Sequence, residues 1–151
     1  MLKRLFLGLG LMLSMGLVQA QTLEKATFED QHGESLALTP TTQWMVFSYD
    51  KSGGDWVRQA FDDLSLMDIE TRGGLYVADI SAMPGIITSL FALPKMRKYD
   101  FRIALDRSGE LTANWPKQEG TVSLMRLNGL DVIEITYANS PEQIKSFLAA
   151  Y

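Results

Sequence analysis

The first half of the chain alternates between short apolar runs and a helical pattern. Trp44 to Phe47 is typical of a strand buried on both faces, and Leu75 to Ala78 is a second such run. Ser52 stands three residues before Asp55, at the spacing of a capping box, so a helix is expected to begin here. It should end before Arg72, with its apolar face formed by Trp56, Val57, Ala60, Phe61, Leu64 and Met67. A strand–helix–strand order predicts parallel pairing through a right-handed crossover.

A second helix is predicted after this unit. Pro84 suits its first turn, and four residues at helical spacing are expected on its inner side: Ile86, Ile87, Leu90 and Phe91. Pro94 should interrupt or restart the helix, which could then continue to Lys98. Phe101 to Leu105 alternates between apolar and other side chains, and this pattern predicts the next strand.

The C-terminal part predicts a hairpin followed by a helix. Thr121 to Leu127 and Leu130 to Tyr137 are β-rich runs, and Asn128-Gly129 between them favours a type I′ turn and antiparallel pairing. Ser140-Pro141-Glu142-Gln143 then supplies an N-cap, a proline at the first helical position and the glutamine of a capping box. The final helix has one apolar face, made by Ile144, Phe147, Leu148 and Tyr151.

Another hairpin is predicted nearer the N-terminus. Ala26 to Phe28 and Leu36 to Leu38 flank Asp30-Gln31-His32-Gly33, where Gly33 can adopt the positive φ of a turn. His32 is the only histidine of the chain. Its place in a turn without convergent partners favours a structural over a catalytic role.

Residues 1–20 have the pattern of a secretory signal peptide. Lys3 and Arg4 are followed by an apolar stretch from Leu5 to Val18 and by a small-residue cleavage site ending at Ala20. A membrane anchor is the alternative, but the stretch is shorter than the roughly 20 residues that span a bilayer. We therefore predict a periplasmic or secreted protein, cleaved after Ala20 and left without a stable membrane anchor. Residues 21–151 are predicted to form a single domain.

The composition excludes several classes of function. The chain contains no cysteine, so it has no disulfide, no thiolate nucleophile and no cysteine ligand for a metal. Together with the single histidine, this predicts neither a metal site nor a bound cofactor. The net charge is −4, and removal of the two basic residues of the signal lowers it to −6. Such an acidic chain is not expected to bind nucleic acid, which requires basic residues against the phosphates.

The order of these elements predicts an α/β fold with a central mixed sheet flanked by helices. In this order, and in four segments, the chain resembles the thioredoxin-like superfamily, especially its redoxin and peroxiredoxin-like branch. Phe28 to Gly33 is similar to the opening hairpin of redoxins, and Trp44 to Tyr49 to their first core strand. Ala104 to Glu110 also resembles a segment of this superfamily, and Gly120-Thr121-Val122 is similar to its cis-proline–threonine turn. The resemblance implies a three-layer thioredoxin-like fold with a C-terminal hairpin and helix.

Two departures from that family concern its reactive site. The loop from Asp50 to Trp56, where the family carries its reactive cysteine, has none, and Gly120 replaces the cis-proline. In active relatives the cysteine lies at a helix N-terminus, where the helix dipole stabilises the thiolate. Ser52 is no substitute, because its hydroxyl is hardly ionised near neutral pH and no histidine is close in sequence. Thiol peroxidase and disulfide oxidoreductase activities are therefore predicted to be absent, and no residue is assigned as catalytic.

Two candidate binding sites remain. The first is the vacated redox cleft, formed by Asp50, Ser52, Gly53, Gly54, Asp55, Trp56, Gly120 and Thr121. Its backbone N–H groups are suited to an anion, although the two aspartates would repel one and a tight helix cap explains the glycines equally well. The second is a docking patch for an acidic partner or anionic lipid headgroups, formed by Lys95, Arg97, Lys98 and Arg102. A solvated helix end is the alternative explanation of this patch.

These features lead to two functional hypotheses. The first is an exported, redox-inactive thioredoxin-like protein that binds an envelope protein or a small ligand in the periplasm. The alternative is an enzyme, or a protein that binds a small molecule or anion, using the vacated cleft from Asp50 to Trp56.

Overall fold

The computed structural model describes residues 21–151, so the predicted signal peptide lies outside the described part of the chain. The strands are β1 (Ala26–Glu29), β2 (Ser35–Leu38), β3 (Trp44–Ser48), β4 (Gly74–Asp79), β5 (Ala104–Asp106), β6 (Val122–Asn128) and β7 (Asp131–Ala138). The helices are α1 (Lys51–Asp63), α2 (Gly85–Ile87), α3 (Leu93–Met96) and α4 (Pro141–Leu148), with a 3-10 turn at Ile69–Arg72 and a π-helical turn at Thr88–Ala92. No helix in residues 21–151 is long and apolar enough to cross a membrane.

The seven strands of residues 21–151 form one mixed sheet in the order β2-β1-β5-β4-β3-β6-β7. The central strands β3, β4 and β5 pair in parallel, and the outer pairings are antiparallel. The α/β prediction is therefore confirmed, including the parallel crossover and both hairpins. Because the strands β3 and β4 lie in the middle of the sheet, nearly all of their side chains are buried.

Two hydrophobic cores lie on opposite faces of the sheet. On one face, Val57 and Phe61 of α1 and Ile144 of α4 pack against Trp44 and Tyr76. On the other, Met45 and Phe47 pack against Phe28 and Trp115, where the indole of Trp115 meets the ring of Phe47 edge-on. Residues 21–151 thus contain both cores.

The C-terminal helix follows its predicted signals, but the hairpin turn before it does not. Ser140 accepts a hydrogen bond from the backbone N–H of Gln143, as an N-cap should. In the hairpin, Asn128 pairs with Asp131, so Gly129 and Leu130 occupy the turn. Only Gly129 has a positive φ, of 63°. The predicted type I′ turn at Asn128-Gly129 is therefore wrong, and the geometry fits a type II′ turn with glycine first.

Helix α1 ends earlier than the apolar pattern predicts. Ser65 has a φ of 50°, the N–H of Leu66 bonds to the carbonyl of Phe61, and the N–H of Ser65 bonds to the carbonyl of Asp62. This is a Schellman motif, made here without glycine. Because the helix stops at this point, Leu64 and Met67 are exposed, and their predicted place on its buried face is wrong.

The second helix is divided by its π-helical turn, and α2, this turn and α3 together are called the bulged helix. The N–H of Leu93 bonds to the carbonyl of Thr88, five residues back. Pro94 has no N–H and its ring would collide with the carbonyl of Leu90, so a wider turn just before it relieves the conflict. Thr88 and Leu93, five residues apart across this turn, are the residues that are buried. The predicted inner face is therefore wrong: Ile86, Ile87, Leu90 and Phe91 are all exposed.

Strand β5 is shorter than predicted because a side chain replaces part of its ladder. The buried Gln31 accepts from the N–H of Ile103 at 2.8 Å and donates to the carbonyl of Phe101 at 2.7 Å. These bonds hold the segment before β5 against the opening hairpin. Phe101 and Ile103 are buried, although the predicted strand begins only at Ala104.

Candidate functional site

The loop after β3 begins α1 with an aspartate cap. The side chain of Asp50 accepts a hydrogen bond from the backbone N–H of Gly53 at 2.7 Å, and its backbone is extended, as at an N-cap. Ser52 lies inside the first turn and is exposed. The predicted Ser52 cap is therefore wrong, because α1 begins at Lys51 and the residue before it, Asp50, is the N-cap.

This cap gives a simple stability prediction. Asp50→Ala leaves the N–H of Gly53 without its partner and should lower the free energy of unfolding by about 1 kcal/mol. Ser52→Ala is the matched control and should change it by less than about half that amount, because Ser52 makes no cap. Chemical denaturation of both variants measures the difference. A larger loss in the Ser52 variant would contradict the assignment.

The loop lies against the segment that follows Gly120. A methyl group added at Gly53 would come within 3.0 Å of the Val122 side chain and 3.6 Å of the Thr121 carbonyl oxygen. Gly120 has a φ of 72°, and residues 21–151 contain no cis peptide bond. The structure thus brings Asp50 to Trp56 next to Thr121, whereas a methyl group at Gly120 would meet no atom within 4 Å.

Tyr49 joins these two segments, which the sequence did not indicate. Its hydroxyl accepts from the N–H of Gln118 at 3.0 Å and lies 2.7 Å from the hydroxyl of Thr121. It is also 3.2 Å from the hydroxyl of Ser123. A tyrosine at the end of a core strand carries no sequence signal for such a role. Its bonds hold the end of β3 against the segment from Gln118 to Ser123.

A pocket of about 540 Å³, here called the cleft pocket, opens beside the Asp50 loop. It lies between the N-terminal half of α1 and the bulged helix. Its lining is mainly apolar and aromatic, and it includes Tyr76, Ala78, Ile87, Phe91, Met96, Tyr99, Phe101 and Ile103. Of the predicted cleft residues, Asp50, Gly54 and Asp55 line it, whereas Ser52, Gly53, Trp56, Gly120 and Thr121 do not.

The hydroxyl groups at the floor of the cleft pocket are satisfied and neutral. The hydroxyls of Ser48 and Tyr76 lie 2.9 Å apart and hydrogen-bond to each other. Burial raises the pKa of Tyr76 well above its usual value, although the bond to Ser48 partly opposes this. Tyr76 therefore stays protonated in the physiological pH range. The floor offers a hydrogen-bonded surface rather than an acid or a base.

Charged side chains surround the mouth of the pocket, and most of them are paired. Lys51 contacts Asp55 at 2.9 Å, and Lys117 contacts Asp79 at 3.5 Å. The guanidinium of Arg58 lies 5.5 Å from the centre of the Tyr99 ring and 3.5 Å from Asp62. Lys95 also lines the pocket, and it forms no ion pair with any other residue in the described part of the chain. Its ammonium group therefore remains available to a ligand.

The predicted docking patch is divided by the fold. Arg102 donates to Asp30 at 2.7 Å and to the carbonyl of Ser35 at 2.9 Å, while Arg97 donates to the carbonyl of Gln31 at 2.9 Å. Both arginines thus connect the chain after the bulged helix to the opening hairpin. Lys95 and Lys98 are exposed.

A second cavity, of about 700 Å³, lies between the C-terminal hairpin and α4. Its walls combine the polar side chains of Arg126, Glu134 and Gln143 with the rings of Phe147 and Tyr151. It shares no lining residue with the cleft pocket. We favour the smaller cleft pocket as the functional site because it has the apolar lining and few polar groups that ligand sites require.

The described part of the chain has a thioredoxin-like fold, and the chain contains no thiol. A peroxidoxin, BcpB from Mycobacterium tuberculosis, is similar with a TM-score of 0.57 and 15% identity, over 87% of this chain and 96% of that one. The thioredoxin domain of a thiol-disulfide oxidoreductase from Bacteroides vulgatus is similar with a TM-score of 0.55 and 11% identity, over 89% of this chain and 98% of that one. A SCO1/SenC family lipoprotein from Bacillus anthracis has a TM-score of 0.52 and 12% identity, over 89% of this chain and 98% of that one. No protein-family model and no curated protein matches the chain.

These comparisons confirm the predicted thioredoxin-like fold. At identities of 11–15%, these comparisons show the fold and do not show the function. A fold of this class without any cysteine fits a redox-inactive member, because both peroxidase and disulfide exchange chemistry require a thiolate.

Proposed function

We propose that this chain is an exported, redox-silent binding protein that holds a small apolar ligand in the cleft pocket. The observation that carries the proposal is the pocket itself, which lies beside the loop where redox-active relatives have their cysteine. A volume of about 540 Å³ is in the range of small-molecule sites. Export is supported by the signal pattern of residues 1–20.

The charges at the mouth favour a ligand with an acidic end. Lys95 can pair with a carboxylate while the apolar part of the ligand lies against Phe91 and Phe101. A free anion bound by the helix N-terminus is less well supported, because Asp50 already accepts from the N–H of Gly53. A medium-chain fatty acid such as decanoate has the chemistry that the pocket fits.

Catalysis in the cleft has less support than binding. The ionisable residues that line the cleft pocket are aspartates, lysines, an arginine and tyrosines, with neither histidine nor cysteine among them. A general acid or base works best with a pKa near the working pH. The buried Tyr76 moves away from that range because burial raises its pKa.

A residue at the floor of the pocket tests the proposal. Ala78 is in β4 and lines the pocket, so Ala78→Leu should fill part of the space and weaken decanoate binding about tenfold or more. Ala37→Leu is the matched control, because Ala37 is exposed on β2 and lies outside the lining. Isothermal titration of residues 21–151 gives the affinities. Equal affinity in both variants, or no binding by the unmodified chain, would contradict the proposal.

A further inference from the structure

The bulged helix presents large apolar side chains to solvent. Ile86 is 72% exposed, Leu90 64% and Phe91 65%, and Ile87 beside them is 43% exposed. These four residues form the apolar ridge. Large exposed apolar clusters on soluble domains mark surfaces that contact a partner or a membrane. Thr88 and Leu93, five residues apart across the π-helical turn, are buried on the opposite side of the bulged helix.

Three basic residues follow the apolar ridge directly. Lys95, Arg97 and Lys98, here called the basic turn, are all exposed. Between Asp79 and Asp100 the sequence has no acidic residue, although the chain as a whole carries a charge of −4. The basic turn therefore creates a local positive region beside an apolar one. Arg97 keeps the turn in place through its bond to the carbonyl of Gln31.

This combination fits an anionic membrane surface better than a protein. Interfacial helices place aliphatic residues and phenylalanine below the headgroups and lysines among them. Protein interfaces instead concentrate their binding energy in tryptophan, tyrosine and arginine, and the apolar ridge contains none of these. We infer that the apolar ridge and the basic turn bind reversibly to the surface of a bilayer containing anionic lipids.

The affinity for the membrane is expected to depend on the charge of the lipid surface and on the size of the apolar ridge. Each basic residue near an anionic membrane contributes about a fivefold increase in affinity, which salt reduces. The apolar ridge adds to this by burying aliphatic surface at the headgroup boundary. Binding should consequently be stronger on vesicles with phosphatidylglycerol than on pure phosphatidylcholine, and it should weaken at high salt.

Vesicle flotation of residues 21–151 tests the inference, because this part contains the whole sheet and both cores. Ile86→Glu combined with Leu90→Glu should abolish flotation with phosphatidylglycerol vesicles. The matched control combines Leu111→Glu with Ile133→Glu, two exposed apolar residues away from the bulged helix. Ile87 and Phe91 of the apolar ridge also line the cleft pocket, whereas Ile86 and Leu90 do not. The test variant therefore leaves the pocket lining unchanged, and its decanoate binding should survive. Failure of one proposal can thus be told apart from failure of the other.

A second pair of variants tests the charge contribution. Lys98→Ala should weaken binding to phosphatidylglycerol vesicles about fivefold, whereas Lys25→Ala, which removes an equal charge from the start of the domain, should leave it nearly unchanged. Equal losses in the test and control variants would overturn the inference. A chain that stays in solution with both vesicle types would also overturn it, and would favour a protein partner for the apolar ridge.

Discussion

Replacing Gly74 with alanine is expected to lower the free energy of unfolding by about 3 kcal/mol, although it adds only one methyl group. Gly74 begins β4 and pairs with Trp44 of β3. A methyl group here would lie 2.5 Å from Cε2 and Cη2 of the Trp44 indole, and closer still to Cζ2. Carbon atoms cannot approach so closely, so either the indole or the strand must move.

Trp44 has little freedom to move. Its indole stacks on Tyr151 with ring centres 5.3 Å apart, and it meets Phe147 edge-on at 6.5 Å. Its Nε1–H donates to the carbonyl of Arg72 at 3.1 Å. A displaced indole would lose this hydrogen bond and disturb the contact between α4 and the sheet. The added methyl group therefore acts on the whole C-terminal packing.

The matched control is another glycine to alanine change. A methyl group at Gly85, the first residue of α2, would meet no atom within 4 Å. Gly85→Ala should therefore be neutral or stabilise the fold by about 0.5 kcal/mol, because alanine restricts the unfolded chain. Urea denaturation of the two variants measures the contrast. Similar stability of both would show that the indole of Trp44 can move aside at little cost.

Replacing Asp30 with alanine is expected to lower the free energy of unfolding by about 3 kcal/mol. The Asp30 side chain is fully buried and accepts from the backbone N–H groups of His32 at 2.8 Å and Glu34 at 2.9 Å. It also accepts from Nε of Arg102 at 2.7 Å. Removing one partner of a buried ion pair costs about 3–5 kcal/mol of stability. Because Arg102 is partly exposed, the loss expected here is at the lower end of this range.

The same carboxylate makes stability depend on pH. Burial alone would raise the pKa of Asp30, but hydrogen bonds from Arg102, Glu34 and His32 outweigh it and hold the pKa below its ordinary value of 3.8. Because the folded pKa is lower than the unfolded one, this stabilisation is fully present above the unfolded pKa. It is lost as the pH falls through the folded pKa.

Denaturation at several pH values checks both parts of the prediction. The difference in unfolding free energy between the unmodified chain and Asp30→Ala should be constant above about pH 5 and shrink below about pH 4. Glu29→Ala is a suitable control, since Glu29 is the preceding residue and is exposed. A difference that stays constant down to strongly acidic pH would contradict the ionic role of Asp30.

Patterns that depend on local chemistry predicted the fold well. The cap at Ser140 and the apolar runs of β3 and β4 depend on residues close in sequence, and the structure contains all of them. The opening hairpin around Gly33 formed for the same reason. The hairpin turn at Gly129 was placed one residue too early, because several two-residue turns accept a single glycine with positive φ.

The candidate site was harder to predict because it depends on which face of the bulged helix is buried. A regular helical period assigned the apolar ridge to the core, but the structure buries Thr88 and Leu93 and leaves the apolar ridge exposed. The cleft pocket was also unpredictable in detail, since its lining comes from segments far apart in sequence, such as Ala78, Phe91 and Ile103. The sequence did indicate the loop at Asp50, through the absence of cysteine.

The cleft pocket is proposed to bind a ligand beside a loop that contains no cysteine. The most direct measurement is a titration of isotope-labelled residues 21–151 with decanoate, following backbone amide shifts by NMR. Saturable shifts should cluster at Tyr76, Ala78, Phe91 and Ile103 and should be lost in Ala78→Leu. An absence of shifts at these residues, or shifts confined to the cavity around Arg126 and Glu134, would contradict the claim.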